Sequence, residues 1–421
     1  MLLEFTVSNF LSFKEKTTFS LVADPVEKNC MDNTFKLDTN THDDISLLKT
    51  NLIFGQNGAG KSNLLKAVRA FKRVIMQSSK MDSQDSYSFI TPFKLDFENL
   101  SKPSFFEMAF VSDNRKYKYT IEISNNSIYE EQLFLYATKR PTKIFKRSEL
   151  DSDTRNTTPK NMLYLTKLDQ NNNEHAQSVL KWFRHKLHIV FDNKSGSEFT
   201  LNNFESFSEK INSFLKTVDF GINQLETREL DEGTIVETIN HIKDLFSEKN
   251  AQEISDSFSK RKPIRFVSKH KQIQANGLSV DVEFNFDKEE SQGTQTLVAF
   301  LGPLFDIMQN EEVLFVDELT NGLHPNIVKA LMKYILNQKD TKFQLIFTTH
   351  DTYLLDLKLF RREQIWFANK SSQNQSTEIY SLSDYKSKSQ AKDSVEKKYL
   401  AGSYDAIPFI NFAALNQTNE Q

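Results

Sequence analysis

Apolar and polar residues alternate at the start of the chain, where Leu3, Phe5 and Val7 fall on one face of an extended segment. A period of two is typical of a half-buried strand, and a second strand is expected at 17–22. Further along, similar patterns predict an antiparallel meander with strands at 105–111, 117–123 and 128–136. The first third of the chain is therefore predicted to contain an antiparallel β region.

A different pattern, in which buried strands alternate with helices, marks the last third of the chain. Continuous apolar runs predict buried strands at 313–316 and 344–348, and helical spacing predicts helices at about 291–309 and 326–337. A similar apolar run, Leu52-Ile53-Phe54, precedes a glycine-rich loop, after which the spacing becomes helical. Strands that alternate with helices are typical of an α/β fold.

Between about 174 and 260 the apolar spacing is helical, and strands resume at 264–267 and 280–286. We interpret this region as an insertion. The predicted organisation is a first lobe at 1–135, an inserted, mainly helical module at 136–265 and a second lobe at 266–421.

Composition excludes several classes of protein. A single cysteine, Cys30, excludes a disulfide framework and a multi-cysteine zinc site. Since the chain has neither a long apolar run nor a basic leader, we expect a cytoplasmic protein without a membrane segment. The net charge of −3 gives no general indication of nucleic-acid binding. Glycine is scarce, with 11 residues where average usage would give roughly 30, so the positions of the glycines are informative.

Three of these glycines fall within Gly55-Gln56-Asn57-Gly58-Ala59-Gly60-Lys61-Ser62, which matches the phosphate-binding pattern G-x-x-x-x-G-K-[ST]. Glycines let backbone N–H groups surround phosphate oxygens, and the following helix adds the partial positive charge of its N-terminus. Lys61 would reach the β- and γ-phosphates, and the Ser62 hydroxyl would bind Mg²⁺. The predicted nucleotide-binding residues of this loop are Gly55, Asn57, Gly58, Ala59, Gly60, Lys61, Ser62 and Asn63.

Two further buried strands end in residues with catalytic chemistry. Asp317 and Glu318 follow the strand at 313–316, where Asp317 would hold Mg²⁺ and Glu318 would orient or deprotonate the attacking water. His350 follows the strand at 344–348, at the end where α/β proteins bind ligands. Each feature also has a purely structural interpretation, as a polar turn or a histidine at the end of a strand.

The segment Glu290-Ser291-Gln292-Gly293 precedes a helix, and Ser291 is a natural N-cap. Gly293 in the first turn weakens a helix, which suggests that another group approaches the backbone there; an anion would be one such group. Gly322-Leu323-His324-Pro325 opens the next helix, where Pro325 is an ordinary first-turn residue.

Together these elements resemble the ATPase head of the ABC/SMC-like superfamily. They are most similar to the RecF-like and OLD-like branch, which includes RloA-type and abortive-infection ATPases of prokaryotic defence. The opening segment 7–13 resembles the first strand and turn of that branch. The tail 398–408 resembles its Tyr-Leu-x-Gly-Arg-Tyr-Gly-Ala-x-Pro pattern, although Ser403 and Asp405 replace the usual Arg and Gly.

The resemblance implies an α/β fold: a P-loop NTPase head of ABC/SMC type, with a mixed sheet, an antiparallel β subdomain and an inserted helical module. It implies that Lys61, Glu318 and His350 are catalytic, and that Ser62 and Asp317 bind the metal. Ser291 and Gly293 would belong to the ABC signature motif, and Gly322 would belong to the D-loop. Because two heads of this type bind ATP between them, a homodimer or a higher even oligomer is expected.

The nucleotide and the spacing can be judged from the residues themselves. No N-K-x-D guanine motif occurs, which favours ATP over GTP as the cofactor bound with Mg²⁺. Lys61 and Asp317 lie 256 positions apart, which is too far for a compact AAA+ core but fits a head with an insertion. Gln132 is a weak candidate for the Q-loop residue, with a structural role favoured.

Two functions fit this pattern. The first is a switch in anti-phage defence that controls a separate effector, a nuclease or toxin. The resemblance implies a Toprim nuclease after the ATPase, as OLD-type proteins usually have, but only 71 residues follow His350, too few for that domain. We therefore expect the effector to be a separate protein. The second is a RecF-like ATPase of DNA repair or maintenance, supported by two basic clusters that would neutralise phosphates on one surface of the dimer; solvated charges at the hinges of the insertion are the alternative interpretation. A non-hydrolysing scaffold is disfavoured because every catalytic position is filled. The two basic clusters comprise Lys139, Arg140, Lys143, Lys146 and Arg147, and Lys260, Arg261, Lys262, Arg265, Lys269 and Lys271.

Overall fold

The computed structural model of the protein describes residues 1–37, 39, 45–82, 84–138, 140–148, 158–218, 221–230, 233, 235, 263–339, 341–385 and 394–407. The chain forms two compact units. The first comprises Met1–Phe191, Ile307–Thr320 and Leu331–Gln421, and the second comprises Asp192–Asp306 and Asn321–Ala330.

The strands, numbered in chain order, are β1 (Leu2–Ser8), β2 (Thr17–Ser20), β3 (Thr34–Lys36), β4 (Ser46–Leu48), β5 (Thr50–Gly55), β6 (Ser104–Ser112), β7 (Arg115–Ile123), β8 (Ile128–Tyr136), β9 (Thr142–Ser148), β10 (Leu187–Val190), β11 (Ile222–Glu229), β12 (Ile264–Ile273), β13 (Ser279–Asn285), β14 (Val313–Val316), β15 (Gln344–Thr348), β16 (Ile365–Lys370) and β17 (Thr377–Ser381).

The helices, numbered in the same way, are α1 (Lys61–Gln77), α2 (Tyr164–Gln170), α3 (Glu174–His185), α4 (Asn193–Asn202), α5 (Phe204–Thr217), α6 (Phe286–Glu289), α7 (Gln292–Asn310), α8 (Pro325–Leu336) and α9 (Val395–Leu400). No helix of the described residues is long and apolar enough to cross a lipid bilayer.

The first unit contains a six-stranded central sheet in the order β10-β14-β15-β5-β16-β17. The first five strands are parallel, and only the edge strand β17 runs antiparallel. β5, β14 and β15 are buried along their whole length, as expected for parallel strands covered on both faces. Because they are parallel neighbours, their carboxyl ends lie along one edge of the sheet.

A second, antiparallel sheet in the same unit has the order β2-β1-β6-β7-β8-β9. Side chains from both sheets share one hydrophobic core with α1 and α3. Phe71 of α1 is central to this core, with its ring centroid 5.8 Å from those of Phe106 and Tyr119 and 5.4 Å from that of Phe183. The core therefore joins α1, which follows the glycine-rich loop, to the antiparallel sheet.

The opposite face of the central sheet is covered by the tail of the chain. Tyr399 and Tyr404 stack on Phe367 of β16, with centroid distances of 5.5 and 5.0 Å, and Tyr399 also contacts Phe54 of β5 edge-on. The Tyr380 hydroxyl donates to the Tyr404 carbonyl at 2.5 Å. The family-like tail is thus packed against the strand that precedes the glycine-rich loop.

In the second unit, β11, β12 and β13 form an antiparallel sheet, and α4 packs closely on α7. Pro303 lies within α7 and has no N–H, so the Ala299 carbonyl lacks its usual helical donor. The Thr200 hydroxyl of α4 lies 3.2 Å from this carbonyl, 3.1 Å from that of Val298 and 2.9 Å from that of Gly196 in its own helix. A Cβ added to Gly302 would lie 2.3 Å from the Thr200 hydroxyl oxygen, so glycine permits this approach.

These elements confirm the predicted α/β class with a mixed sheet and an antiparallel β subdomain. Two strands, β10 and β11, lie where only helical spacing was recognised. The segment 136–265 contributes to both compact units, since β9, α2, α3 and β10 belong to the first and α4 and α5 to the second. Helical spacing predicts which face of a helix is buried, but it does not predict which element packs against that face. The predicted helical run at 235–246 lies almost wholly outside the described residues.

We predict that Thr200→Val destabilises the protein by about 1–3 kcal/mol, because valine keeps the shape but leaves the buried Ala299 carbonyl of α7 without a donor. Urea unfolding measures this change. Thr166→Val is the matched control, since the buried Thr166 hydroxyl has no hydrogen-bond partner. Equal effects of the two substitutions would contradict this explanation of the α4–α7 contact.

Candidate nucleotide-binding site

The loop between β5 and α1 has the backbone that a phosphate-binding loop requires. Gly58 and Gly60 have φ angles of 76° and 102°, in the left-handed region that favours glycine. At Gly60 an added Cβ would lie 2.0 Å from the Thr377 hydroxyl oxygen and 2.8 Å from that of Ser12. Glycine is therefore required at Gly60 both by conformation and by lack of space.

Two residues outside the loop hold it in place. The Ser12 hydroxyl accepts a hydrogen bond from the Asn63 amide at 2.8 Å and lies 2.7 Å from the Thr377 hydroxyl. The Thr377 hydroxyl is also 2.8 Å from the Ala59 carbonyl, and its backbone N–H donates to Ser12 at 2.7 Å. Of these, Asn63 and Ala59 were predicted as loop residues, whereas Ser12 and Thr377 were not recognised as its supports.

The turn that carries Ser12 is itself fixed by Asn9. The Asn9 amide donates to the carbonyls of Asn99 and Lys102 at 2.9 and 2.8 Å, and its oxygen accepts from the Phe93 N–H at 3.1 Å. Asn9 has a φ of 48°, which asparagine tolerates better than most residues. The family-like segment 7–13 thus links the antiparallel sheet to the glycine-rich loop.

Lys61 lies inside the loop and is 6% exposed. Its ammonium group donates to the carbonyls of Gly55 and Gln56 at 2.9 and 3.2 Å. Burial lowers the pKa of Lys61 to about 8, against the opposing effect of the Glu318 and Asp317 carboxylates. An incoming triphosphate would offer this cation a stronger partner than the loop carbonyls. Asn57 and Gly58 are exposed at the tip of the same loop.

The predicted metal ligands meet in the structure. The Ser62 hydroxyl, in the first turn of α1, donates to the Asp317 carboxylate at 3.1 Å. Asp317 follows β14, so the two residues approach from different strands across the sheet edge. Hydroxyl and carboxylate oxygens are the ligand types that Mg²⁺ prefers, and this pair fits the ion.

Glu318 and His350 lie beside these residues and remain accessible. The Glu318 carboxylate is 3.9 Å from His350 Nε2, and their side chains are 51% and 41% exposed. Partial burial, followed by the positive charge of Lys61, holds the pKa of His350 below its usual range. The imidazole is therefore neutral near pH 7 and can act as donor or acceptor according to its tautomer.

Glu318 has a backbone conformation that is uncommon for a side-chain-bearing residue. Its φ is 50°, in the left-handed region, which costs roughly 1–2 kcal/mol for such a residue. Its N–H donates to the Thr348 hydroxyl at 2.8 Å. Backbone outliers of this kind persist only where the surrounding structure holds them in place, and they cluster at functional sites.

The remaining predicted residues lie in the second unit. Ser291 caps α7, since its hydroxyl accepts from the Thr294 N–H at 3.2 Å and lies 2.8 Å from the Thr294 hydroxyl. A Cβ added to Gly293 would lie 2.6 Å from the Gly322 carbonyl oxygen. The predicted signature and D-loop therefore touch one another, and this contact gives Gly293 a structural reason to be glycine.

Gln132 and three members of the basic clusters, Lys146, Arg147 and Lys269, have structural partners. Gln132 lies within β8, opposite Thr120 of β7, rather than in a loop. Arg147 is buried, with its guanidinium donating to the Pro159 carbonyl at 2.9 Å. Lys146 pairs with Glu130 at 2.9 Å, and Lys269 pairs with Glu226 at 2.7 Å. Lys139, Lys260, Arg261 and Lys262 lie outside the described residues.

The topology and the glycine-rich loop define a protein with a P-loop NTPase fold. Residues 50–356 match the AAA_21 family, described as "AAA domain, putative AbiEii toxin, Type IV TA system", and the chain belongs to this family. No curated protein matches the sequence significantly.

Solved structures that resemble the chain include heads of SMC proteins. The SMC head domain from Thermotoga maritima is 14% identical, with a TM-score of 0.41 over 90% of this chain and 98% of that one. An SMC head bound to the C-winged helix domain of ScpA is 11% identical, with a TM-score of 0.46 over 90% of this chain and 97% of that one.

We predict that ATP binding takes up a proton at a pH slightly above the pKa of Lys61, about 8. In the free protein the Lys61 amine is then mostly neutral, and the triphosphate charge stabilises its protonated form. Calorimetry in two buffers of different ionisation enthalpy measures the uptake, which should vanish two pH units lower.

Two variants identify the group responsible. Lys61→Arg should bind ATP without proton uptake, because the guanidinium is always charged. Lys72→Met is the matched control, since burial also lowers the pKa of Lys72 to about 8, outside the loop. Uptake that persists in Lys61→Arg and disappears in Lys72→Met would contradict the assignment.

Proposed function

We propose that this protein binds ATP with Mg²⁺ at the P-loop and hydrolyses it, in a site that a second copy of the chain completes. The observation that carries this proposal is the meeting of Ser62, Asp317, Glu318 and His350 at one sheet edge beside Lys61. Phosphoryl transfer depends mainly on positioning and charge neutralisation, and this set of groups is suited to both.

Each residue of this edge has a defined task in the proposed reaction. Lys61 and the loop N–H groups bind the phosphates, while Ser62 and Asp317 hold Mg²⁺, which neutralises phosphate charge. Glu318 orients the attacking water or accepts its proton. His350, neutral at pH 7, contacts the γ-phosphate by hydrogen bonding, a role for which its partly exposed imidazole is available.

Ser291 and Gly293 are proposed to act on the ATP of the partner subunit. Both lie at the start of α7, a helix of 19 residues whose N-terminus favours an anion. The expected assembly is a homodimer or a higher even oligomer. ATP would close such a dimer and hydrolysis would open it, which makes the protein a switch.

We propose that the switch operates in prokaryotic anti-phage defence and controls a separate nuclease or toxin. The family description, "putative AbiEii toxin, Type IV TA system", supports a place in a toxin–antitoxin system. The tail around Tyr399 and Gly402, which resembles the tail pattern of the RloA-type branch, supports a relationship to that branch. In this tail Tyr399 packs on Phe367 of β16 and on Phe54 of β5, the strand that precedes the glycine-rich loop.

DNA maintenance is the second candidate. The described basic residues support DNA binding less than the sequence clusters suggest, because Lys146, Arg147 and Lys269 form ion pairs or hydrogen bonds within the chain. Steep salt dependence of DNA binding would favour this alternative. Co-purification with a nuclease or toxin would favour defence.

We predict that Glu318→Gln abolishes most ATP turnover and traps an ATP-bound dimer in the presence of Mg²⁺. Glutamine preserves size but cannot accept the proton, and losing a general base costs about 100- to 10,000-fold in rate. Phosphate release and sedimentation velocity measure the two effects.

Glu311→Gln is the matched control for this substitution. Glu311 also has a left-handed backbone, with a φ of 54°, but it precedes β14 at the opposite end of the strand. It should leave turnover unchanged. Normal hydrolysis by Glu318→Gln would refute the assigned base, whereas rapid hydrolysis by a wild-type monomer would refute the shared site.

A further inference from the structure

Thr348, the last residue of β15, is fully buried and contacts both acids of the candidate site. Its hydroxyl donates to the Asp317 carboxylate at 2.6 Å and accepts the Glu318 N–H at 2.8 Å. One hydroxyl group therefore joins the proposed metal ligand to the backbone of the proposed base.

The sheet register brings Thr348 to this position. β14 and β15 are parallel, with Val316 opposite Phe347, so the residues that follow β14 pass beside Thr348. A hydroxyl both donates and accepts, as the two neighbours require, whereas valine of the same shape does neither. The strand and its burial alone would be satisfied by valine.

The next residue has a different set of partners. The Thr349 hydroxyl lies 2.9 Å from that of Thr320 and accepts the Asp351 N–H at 3.0 Å. Thr349 thus holds the segment that leads into His350, while Thr348 holds the two acids. The consecutive threonines divide the support of the site between them.

Both groups that Thr348 contacts depend on orientation. The same Asp317 oxygen accepts from Ser62 at 3.1 Å, so two hydroxyls fix its direction. Glu318 has its left-handed φ of 50° at the point where its N–H meets Thr348. Loss of the hydroxyl would leave one carboxylate contact and free the backbone N–H of the base.

We propose that Thr348 is a positioning residue, which orients Asp317 for Mg²⁺ and Glu318 for the attacking water. This inference rests on the proposed ATPase function and adds a residue to it. The role is carried through the two acids, since Thr348 is too deeply buried to reach the nucleotide itself.

The test compares Thr348→Val with Thr348→Ser in the full chain. Outer-shell partners of metal ligands are typically worth about 10- to 100-fold in affinity or activity. We expect Thr348→Val to lower kcat by that factor and to raise the Mg²⁺ concentration for half-maximal activity. Metal-free ATP binding, which uses the P-loop and Lys61, should stay unchanged, and Thr348→Ser should restore both parameters.

Thr50→Val is the matched control, because Thr50 is buried in the adjacent strand β5 and its hydroxyl has no partner. It should leave kcat and Mg²⁺ dependence unchanged. Wild-type kinetics in Thr348→Val would overturn the inference, as would loss of metal-free ATP binding in both Thr348 variants, which would indicate a purely structural role. A wild-type protein that neither binds nor hydrolyses ATP would instead refute the proposed function.

Discussion

The parallel pairing of β5, β15 and β14 is the constraint on which the site depends. It places the carboxyl ends of three buried strands side by side, and a different group follows each strand: the glycine-rich loop, His350 and the two acids. No single segment of the chain contains these groups together. Their proximity is a consequence of backbone hydrogen bonding between strands that are far apart in sequence.

Polar contacts then fix the positions of the groups that the sheet brings together. Ser12 and Thr377 hold the glycine-rich loop, and Thr348 joins Asp317 to Glu318. The hydrophobic core around Phe71 and the tail packed on Phe367 support opposite faces of the central sheet. The accessible groups, Glu318 and His350, are thus carried by a buried framework.

Much of this site could be predicted because its chemistry is written in short segments. The loop from Gly55 to Ser62 has a strict pattern, and Asp317 and His350 end recognisable buried strands. The supports could not be predicted in the same way. Thr348 and Thr377 act through register and packing, and nothing in their local sequence distinguishes them from other strand threonines. Similarly, β10 is a four-residue strand whose place depends on pairing with β14.

A site shared by two copies of the chain is tested most directly by mixing two inactive variants. Lys61→Ala removes the phosphate contact, and Ser291→Arg blocks the signature. A mixed dimer would contain one intact site and one doubly defective site. With free exchange of subunits, an equimolar mixture should recover about a quarter of wild-type ATPase activity. No recovery, despite demonstrated subunit exchange, would contradict the shared site.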